Sequence, residues 1–350
     1  MIKSSFRKYT LHFNQPAATS RGTYENRVVW YLFLEENGIT GVGECAPLPG
    51  LSRETPQQVE NLLKEISVAP QLFIAEPERL RKLPSVRFAL ETAWLDLQQG
   101  GKQILFPSAF TRGQEGIPVN GLIWMGEGAH QQKQILEKLQ AGFRCLKLKI
   151  GSLNFEEELN LLELVREQAC SSILTLRVDA NGAFKPEEAI SRLETLARYD
   201  IHSIEQPIAP GNTAQMARLC NETPIPIALD EELIGINNRD EKEELLETVR
   251  PQFIVLKPSL HGGFAGCDEW IGLAEQRSIG WWITSYLESN IGLNAIAQWA
   301  FTKPVSMHQG LGTGQLYSNN IGSALEMRGE QLWYNPEKKM TGLQDLTTYD

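Results

Sequence analysis

From Val28 to Leu34 the chain reads Val-Val-Trp-Tyr-Leu-Phe-Leu, an unbroken apolar run of strand length. The turn residues Glu35-Glu36-Asn37-Gly38 follow, and Thr40-Gly41-Val42-Gly43-Glu44 returns. Asn-Gly between two such runs predicts a β-hairpin. Beyond it the period changes: Pro56–Ile66 and Val86–Leu97 have helical apolar spacing, with Phe88, Ala93 and Leu97 on much of one face. Strands first and helices second describe a small α+β domain over residues 1–105.

A second rhythm starts near residue 117. Short apolar runs at Ile117–Trp124, Cys145–Ile150, Leu174–Asp179, His202–Glu205, Ile225–Asp230, Phe253–Lys257, Trp281–Ser285 and Pro304–His308 alternate with amphipathic segments. Phe155, Leu159, Leu162 and Ala169 make one inward helical face, and Cys267, Ile271 and Ala274 another. Eight strands alternating with helices predict a (β/α)₈-type barrel over residues 106–323 rather than an open sheet. The last unit lacks a good helix. Instead Ala324–Met327 and Gln331–Tyr334 flank Arg328-Gly329-Glu330 as a hairpin, and the tail 324–350 is expected to return to the N-terminal domain.

Composition narrows the function classes. With 350 residues, 42% apolar and 22% charged, the chain fits one large and one smaller soluble globular domain. No apolar run reaches the roughly 18 residues of a membrane span, and the N-terminus carries no signal-peptide core, so the cytoplasm is expected. Five scattered cysteines without CxxC spacing read as reduced residues rather than disulfides or zinc ligands. A net charge of −10 argues against nucleic-acid binding, which needs a basic footprint. It leaves a small carboxylate substrate open, because a metal and local lysines can dominate one pocket. The five histidines show no ligand spacing and receive no role. Oligomeric state is not legible.

Barrel chemistry sits at the C-terminal ends of strands. Those positions hold Lys147 and Lys149, then Asp179, Glu205, Asp230 and Lys257, one key residue every 25 to 30 positions. A single acid at a strand end is commonly a cap or loop anchor. Five strands ending in phase this way are not explained by capping. Three carboxylates from adjacent strands repel one another, and a hard divalent cation resolves that repulsion; an all-oxygen set suits Mg²⁺, with Mn²⁺ as a substitute. Lys147 and Lys149, two apart on a strand, point to the same side. A lysine beside a cation is expected to have its pKa lowered toward that of a general base. Lys257 would approach from the opposite side, giving a carboxylate flanked by two lysines, an arrangement suited to removing an α-proton.

The segments Lys147-Leu148-Lys149, Val178-Asp179-Ala180-Asn181, Ile204-Glu205-Gln206-Pro207, Ala228-Leu229-Asp230-Glu231 and Leu256-Lys257-Pro258, with Gly43-Glu44-Cys45-Ala46-Pro47, resemble the enolase superfamily in its muconate lactonizing subgroup. The resemblance covers essentially the whole chain. It implies a modified TIM barrel, (β/α)₇β, with an α+β capping domain built from the N-terminal region and the C-terminal tail. Arg177, Thr284-Ser285-Tyr286-Leu287-Glu288-Ser289 and Gly310-Leu311-Gly312-Thr313 are most similar to the o-succinylbenzoate synthase family. That likeness implies a lyase of menaquinone biosynthesis, performing Mg²⁺-dependent syn dehydration of 2-succinyl-6-hydroxy-2,4-cyclohexadiene-1-carboxylate. It further implies Lys149 as base and then acid, Lys257 as the cation beside the enediolate, and Asp179, Glu205 and Asp230 as metal ligands. Asn181 and Glu231 would support the metal set, Arg177 and Lys147 would position Lys149, and Thr284, Ser285 and Gly310 would bind substrate.

Two readings compete. A racemase or epimerase of N-succinylamino acids or dipeptides uses the same two lysines. Dipeptide epimerases, however, carry an Asp-x-Asp after strand eight, where His308–Gly314 has no carboxylate. A barrel that binds metal without turnover is the non-enzyme alternative, disfavoured by a complete acid–base set. Pro16–Asn26 and Pro47–Arg53 are the expected lid loops.

Overall fold

The structure, a computed structural model, describes residues 1–19, 22–304 and 306–342. Three antiparallel strands open the chain: β1 (Lys3–Thr19), β2 (Gly22–Glu36) and β3 (Ile39–Cys45). Asn37 and Gly38 turn the predicted hairpin at φ of 53° and 78°, the left-handed region that Asn-Gly favours. The apolar run of β2 is continuous because both of its faces are covered. Trp30, Leu32 and Leu34 enter a core with the helices, while Val29, Tyr31 and Phe33 pack with Ile291, Tyr317 and Ile321 at the barrel.

The helices α1 (Pro56–Val68), α2 (Pro70–Ala75) and α3 (Pro84–Gln98) complete this cap. Thr55 and Gln58 form a capping box at the start of α1. Helix α3 lies directly on β3, because Gly41 and Gly43 have no Cβ to collide with the Ala93 and Ala89 carbonyls. The predicted single face of α3 divides in two. Ala93 and Leu97 belong to the cap core, whereas Phe88 enters the barrel core, so α3 is buried on nearly every side.

The predicted first barrel strand, Ile117–Trp124, is split. Its start, β4 (Ile117–Pro118), pairs outside the barrel, and only β5 (Gly121–Ile123) joins the parallel sheet. There follow α4 (Gly128–Gln140), β6 (Cys145–Lys149), α5 (Phe155–Gln168), β7 (Thr175–Asp179), α6 (Pro186–Leu196), β8 (Ser203–Glu205), α7 (Thr213–Glu222), β9 (Ile227–Leu229), α8 (Arg239–Val249), β10 (Phe253–Leu256), α9 (Gly263–Glu275), β11 (Gly280–Ile283) and α10 (Asn290–Phe301). Strands β5 to β11 neighbour one another in sequence order, all parallel.

The eighth strand, expected at Pro304–His308, lies later. Val305 falls outside the described residues, and the rest of that stretch makes no ladder. Single bridges of Gln309 to Val119 and of Gly310 to Thr284 close the barrel instead. Pro304 has no N–H to donate, whereas Gly310 leaves the space that the Thr284 side chain fills. The result is the (β/α)₇β form.

The predicted hairpin is present as β12 (Leu325–Arg328) and β13 (Gln331–Tyr334). It pairs with β4, not with the cap sheet. Chain 315–321 and Met340 supply the tail-side packing on the cap, with Asn14 N–H donating to the Leu316 carbonyl at 2.8 Å. Of the expected lids, Pro16–Asn26 forms the far arms of β1 and β2, and its Ser20 and Arg21 lie outside the described residues. Among the described residues no helix is long and apolar enough to cross a membrane, and the five cysteines are unpaired.

Candidate active site

Strand register places the predicted residues side by side. Lys149 pairs with Asp179 and Asp179 with Glu205, each the last residue of its strand. Glu205 is level with Ala228, so Asp230, two residues on, projects to the same side. Lys257 follows β10 and reaches back to Asp230. Eleven of the twelve predicted residues line one cavity of about 690 Å³; Arg177 does not.

Lys147 Nζ bridges Asp179 at 2.9 Å and Glu205 at 2.5 Å. Lys149 Nζ donates to Asp179 Oδ2 at 2.9 Å and to Asn181 Oδ1 at 2.7 Å. Asn181 in turn donates to Glu231 Oε1 at 3.0 Å, linking Lys149 to the far side of the acid ring. Burial pushes the Asp179 carboxyl up, yet Lys147 and Lys149 outweigh it and hold the group well below the usual range. Glu205 is pushed up to about 8 by burial and then by Asp179, against Lys147. Burial lowers the Lys147 pKa, but Asp179, Glu205 and Asp230 overcome that effect and raise it. Lys257 is likewise raised by Asp230, Glu205 and Glu231 against burial, so it stays an ammonium.

Four carboxyls, Asp179, Glu205, Asp230 and Glu231, thus face three lysine amino groups, and Glu231 Oε2 is buried with no partner. An all-oxygen set of four carboxyls, three of them raised by burial and their mutual repulsion, fits a hard divalent cation. Among the described residues no three acidic, His or Cys side chains converge as they stand to enclose one. Lys147 and Lys257 sit between the acids. A bound cation would take over the neutralising role of these ammonium groups.

The other end of the cavity is built from β11 and the closing bridges. Thr284 Oγ1 donates to the Gly310 carbonyl at 2.9 Å, and the Ser285 and Thr313 hydroxyls meet at 2.6 Å. Leu287, a non-glycine residue at φ 58°, lines the cavity in strained backbone, and its carbonyl accepts from the Tyr317 hydroxyl at 2.5 Å. Leu48 and Leu51 of the second expected lid roof the cavity together with Tyr24.

Arg177 lies a layer below, its guanidinium 4.1 Å above the Trp282 ring and donating to the His308 carbonyl at 2.9 Å. It does not touch Lys149. Several supporting residues receive no role from the sequence. Gln206 Oε1 accepts the Asp230 and Glu232 N–H groups at 3.2 Å, fixing the turn that carries Asp230 and Glu231. Glu158 Oε1 accepts the N–H groups of Gly151, Ser152 and Leu153, the loop after Lys149. From the cap, buried Arg27 donates to the Tyr286 and Ala46 carbonyls, and Glu44 accepts from Ser289 and Gly292 at the start of α10.

Comparison with known proteins places this geometry. Residues 131–331 match the family model "Enolase C-terminal domain-like", and residues 1–97 match "MenC, N-terminal domain". The chain is 46% identical to an o-succinylbenzoate synthase of Desulfotalea psychrophila, over 94% of this chain and 98% of that protein. It superposes on the crystal structure of MenC from the same organism with a TM-score of 0.85 and 42% identity, covering 95% and 99% of the two chains. An N-succinyl-L-Arg/Lys racemase of Bacillus cereus is 24% identical over 89% of this chain and 87% of its own. Lysines facing each other across an acid ring on consecutive barrel strands, under a cap of the MenC type, agree with these matches, and the chain belongs to the enolase superfamily.

Proposed function

We propose that this chain is an o-succinylbenzoate synthase, a lyase that dehydrates 2-succinyl-6-hydroxy-2,4-cyclohexadiene-1-carboxylate to o-succinylbenzoate in the cytoplasm. The observation that carries this reading is the pair Lys149 and Lys257 on either side of the Asp179–Glu205–Asp230 ring. It is supported by identity to the Desulfotalea enzyme along nearly the whole chain.

Asp179, Glu205 and Asp230 are the residues that would hold Mg²⁺, with Glu231 and Asn181 beside them. When bound, the metal supplies Lewis-acid stabilisation of charge developing on the substrate carboxylate. Lys149, oriented by Asn181 and Asp179, removes the α-proton on one face. The Lys257 ammonium, kept charged by Asp230, stabilises the enediolate from the other. Lys149, now protonated, gives its proton to the departing hydroxide on the same face; water leaves and the ring becomes aromatic. Thr284, Ser285 and Gly310 shape the end that takes the succinyl arm. The Leu48 and Leu51 roof keeps bulk water from the intermediate.

Steady-state turnover of the cyclohexadiene carboxylate tests this. Fast aromatization with Mg²⁺ is expected, abolished by EDTA and lowered by roughly 10²–10⁴-fold or more in Lys149→Ala, the range for loss of a general base. Absent turnover, together with α-proton exchange of N-succinylamino acids in D₂O, would replace the dehydratase by the racemase.

A further inference from the structure

A second pocket, of about 140 Å³, lies behind Lys257 at the seam between cap and barrel. Its volume equals that of roughly five waters at about 30 Å³ each. His261, Lys242 and Arg87 form its buried part, at 2%, 1% and 8% exposure. The three arrive from separate elements: the turn after β10, α8 and α3. Arg81 and Glu78 stand at its more exposed side.

His261 shows what the pocket lacks. Its Nδ1 lies 3.1 Å from the Lys257 backbone N–H, which can only donate. Nδ1 is therefore the acceptor, and the ring proton sits on Nε2. Nε2 is buried without a partner in a ring that lines the pocket. A buried donor with nothing to accept from it is unfavourable until an acceptor arrives. The remaining chemistry is donor-rich as well. Arg81, Arg87 and Lys242 face two lining carboxylates, Glu78 and Glu269. Glu78 is shared by Arg81 at 2.5 Å and Arg87 at 3.0 Å, and Glu269 pairs with Lys242 at 2.8 Å. Lys242 also donates to the Gly266 carbonyl at 2.9 Å, which leaves one of its three ammonium hydrogens. The lining groups alone carry one surplus positive charge, and Arg87 also pairs with Glu91 outside the lining, its Nε donating to Glu91 Oε1 at 3.2 Å.

We infer that this pocket binds a small tetrahedral oxyanion, of the size of sulfate or inorganic phosphate, held by His261 Nε2–H, Lys242, Arg87 and Arg81. The anion joins the cap segment Glu78–Arg81 to α8 and α9. It also braces the turn Pro258–Gly262 that follows Lys257, through the same imidazole that accepts the Lys257 N–H. The pocket admits the oxyanion itself, and a phosphate ester would have to leave its organic part at the Glu78 and Arg81 edge.

The test uses the full-length Mg²⁺-loaded enzyme, with thermal midpoints in sulfate and in chloride at matched ionic strength. Binding raises the midpoint with the logarithm of sulfate concentration above the chloride baseline. Arg81→Gln, at a partly exposed position, and Lys242→Met should each weaken that dependence at least tenfold. Crystals grown with selenate should show anomalous density within hydrogen-bond distance of His261 Nε2. Glycerol 3-phosphate in place of sulfate separates the sources: an equal shift means that esters are accepted, and a smaller one means that the free anion is the ligand. Equal midpoints in sulfate and chloride would overturn the site. So would an undiminished sulfate effect in Arg81→Gln, or selenate found solely among Lys147, Lys149 and Lys257.

Discussion

Glu54 ends the cap's connecting loop with its Oε1 accepting the Ser85 N–H in the first turn of α3, at 3.1 Å. Its Oε2 is buried without a partner. Burial, opposed by Ser85, pushes this carboxyl from 4.5 up to about 7. Below pH 4.5 it is protonated in both the folded and unfolded states. Between 4.5 and 7 only the unfolded chain ionises, so its contribution to stability falls and is lost above 7. The full loss is on the order of 3 kcal/mol, at about 1.4 kcal/mol per unit. Glu91, also raised to about 7, and Asp96, raised to about 6, act in the same direction. Glu54→Gln, a neutral isostere, should therefore match the wild type near pH 4.5 and exceed it by up to about 3 kcal/mol at pH 8. Urea unfolding across that range checks this; parallel curves would rule it out. Glu54 was not legible as a special residue, because nothing beside it in sequence says that its loop will be covered. Asp179, Glu205, Asp230 and the lysines were legible, since each lies at or within two residues of the end of an apolar strand and the barrel draws strand ends together.

At the scale of elements, the cap reaches the active site through the start of α10. Glu44, on β3, accepts the Ser289 N–H at 2.8 Å, its hydroxyl at 2.6 Å and the Gly292 N–H at 2.8 Å. These are donors that a helix start leaves unsatisfied. The carboxylate thereby fixes where the Thr284–Ser289 stretch ends. Gly292 makes the contact possible: an added Cβ would meet Glu288 Cβ at 2.7 Å and Glu44 Oε2 at 2.9 Å. Helix propensity favours Gly292→Ala by about 1 kcal/mol. Crowding of a filled site costs about 1–3 kcal/mol and also displaces the Glu44 bonds. Crowding wins, so the variant should lose roughly 1–2 kcal/mol, with a KM raised several-fold and a smaller change in kcat. A stabilised variant with unchanged KM would show that Glu44 has no hold on the loop. Element types were readable from period alone, and the β2–β3 hairpin fell where Asn37-Gly38 placed it. The eighth strand was misplaced because its short apolar run at 304–308 looked like its predecessors. The pairing was decided by Gly310, through a contact with Thr284 that is distant in sequence.

The molecule is divided by topology and joined by packing. Helix α3 belongs to the cap, yet its Phe88 is fully buried in the barrel core, edge-on to Phe264 of α9 at 5.4 Å. Phe264 stacks in turn on Trp299 of α10 at 5.3 Å. The other faces of α3 fill the cap core, so neither core is complete without this helix. A linker between independent domains would be exposed and poor in contacts; α3 is the reverse. Cap and barrel should consequently unfold as one cooperative unit. Truncating Phe88 removes a buried ring at the joint and should cost about 3–5 kcal/mol. Under native conditions, hydrogen exchange followed by mass spectrometry should then accelerate together in peptides from β2 and from β7–β8, by a common factor. If Phe88→Ala speeds exchange in the cap while the barrel strands keep wild-type protection, the two cores are separable and the shared helix is not the joint. Joint acceleration would mean that the roof over Lys149 cannot loosen through α3 without loosening the strands that hold the acids. Motion of the roof would then be confined to the Leu48–Leu51 loop and the arms of β1 and β2.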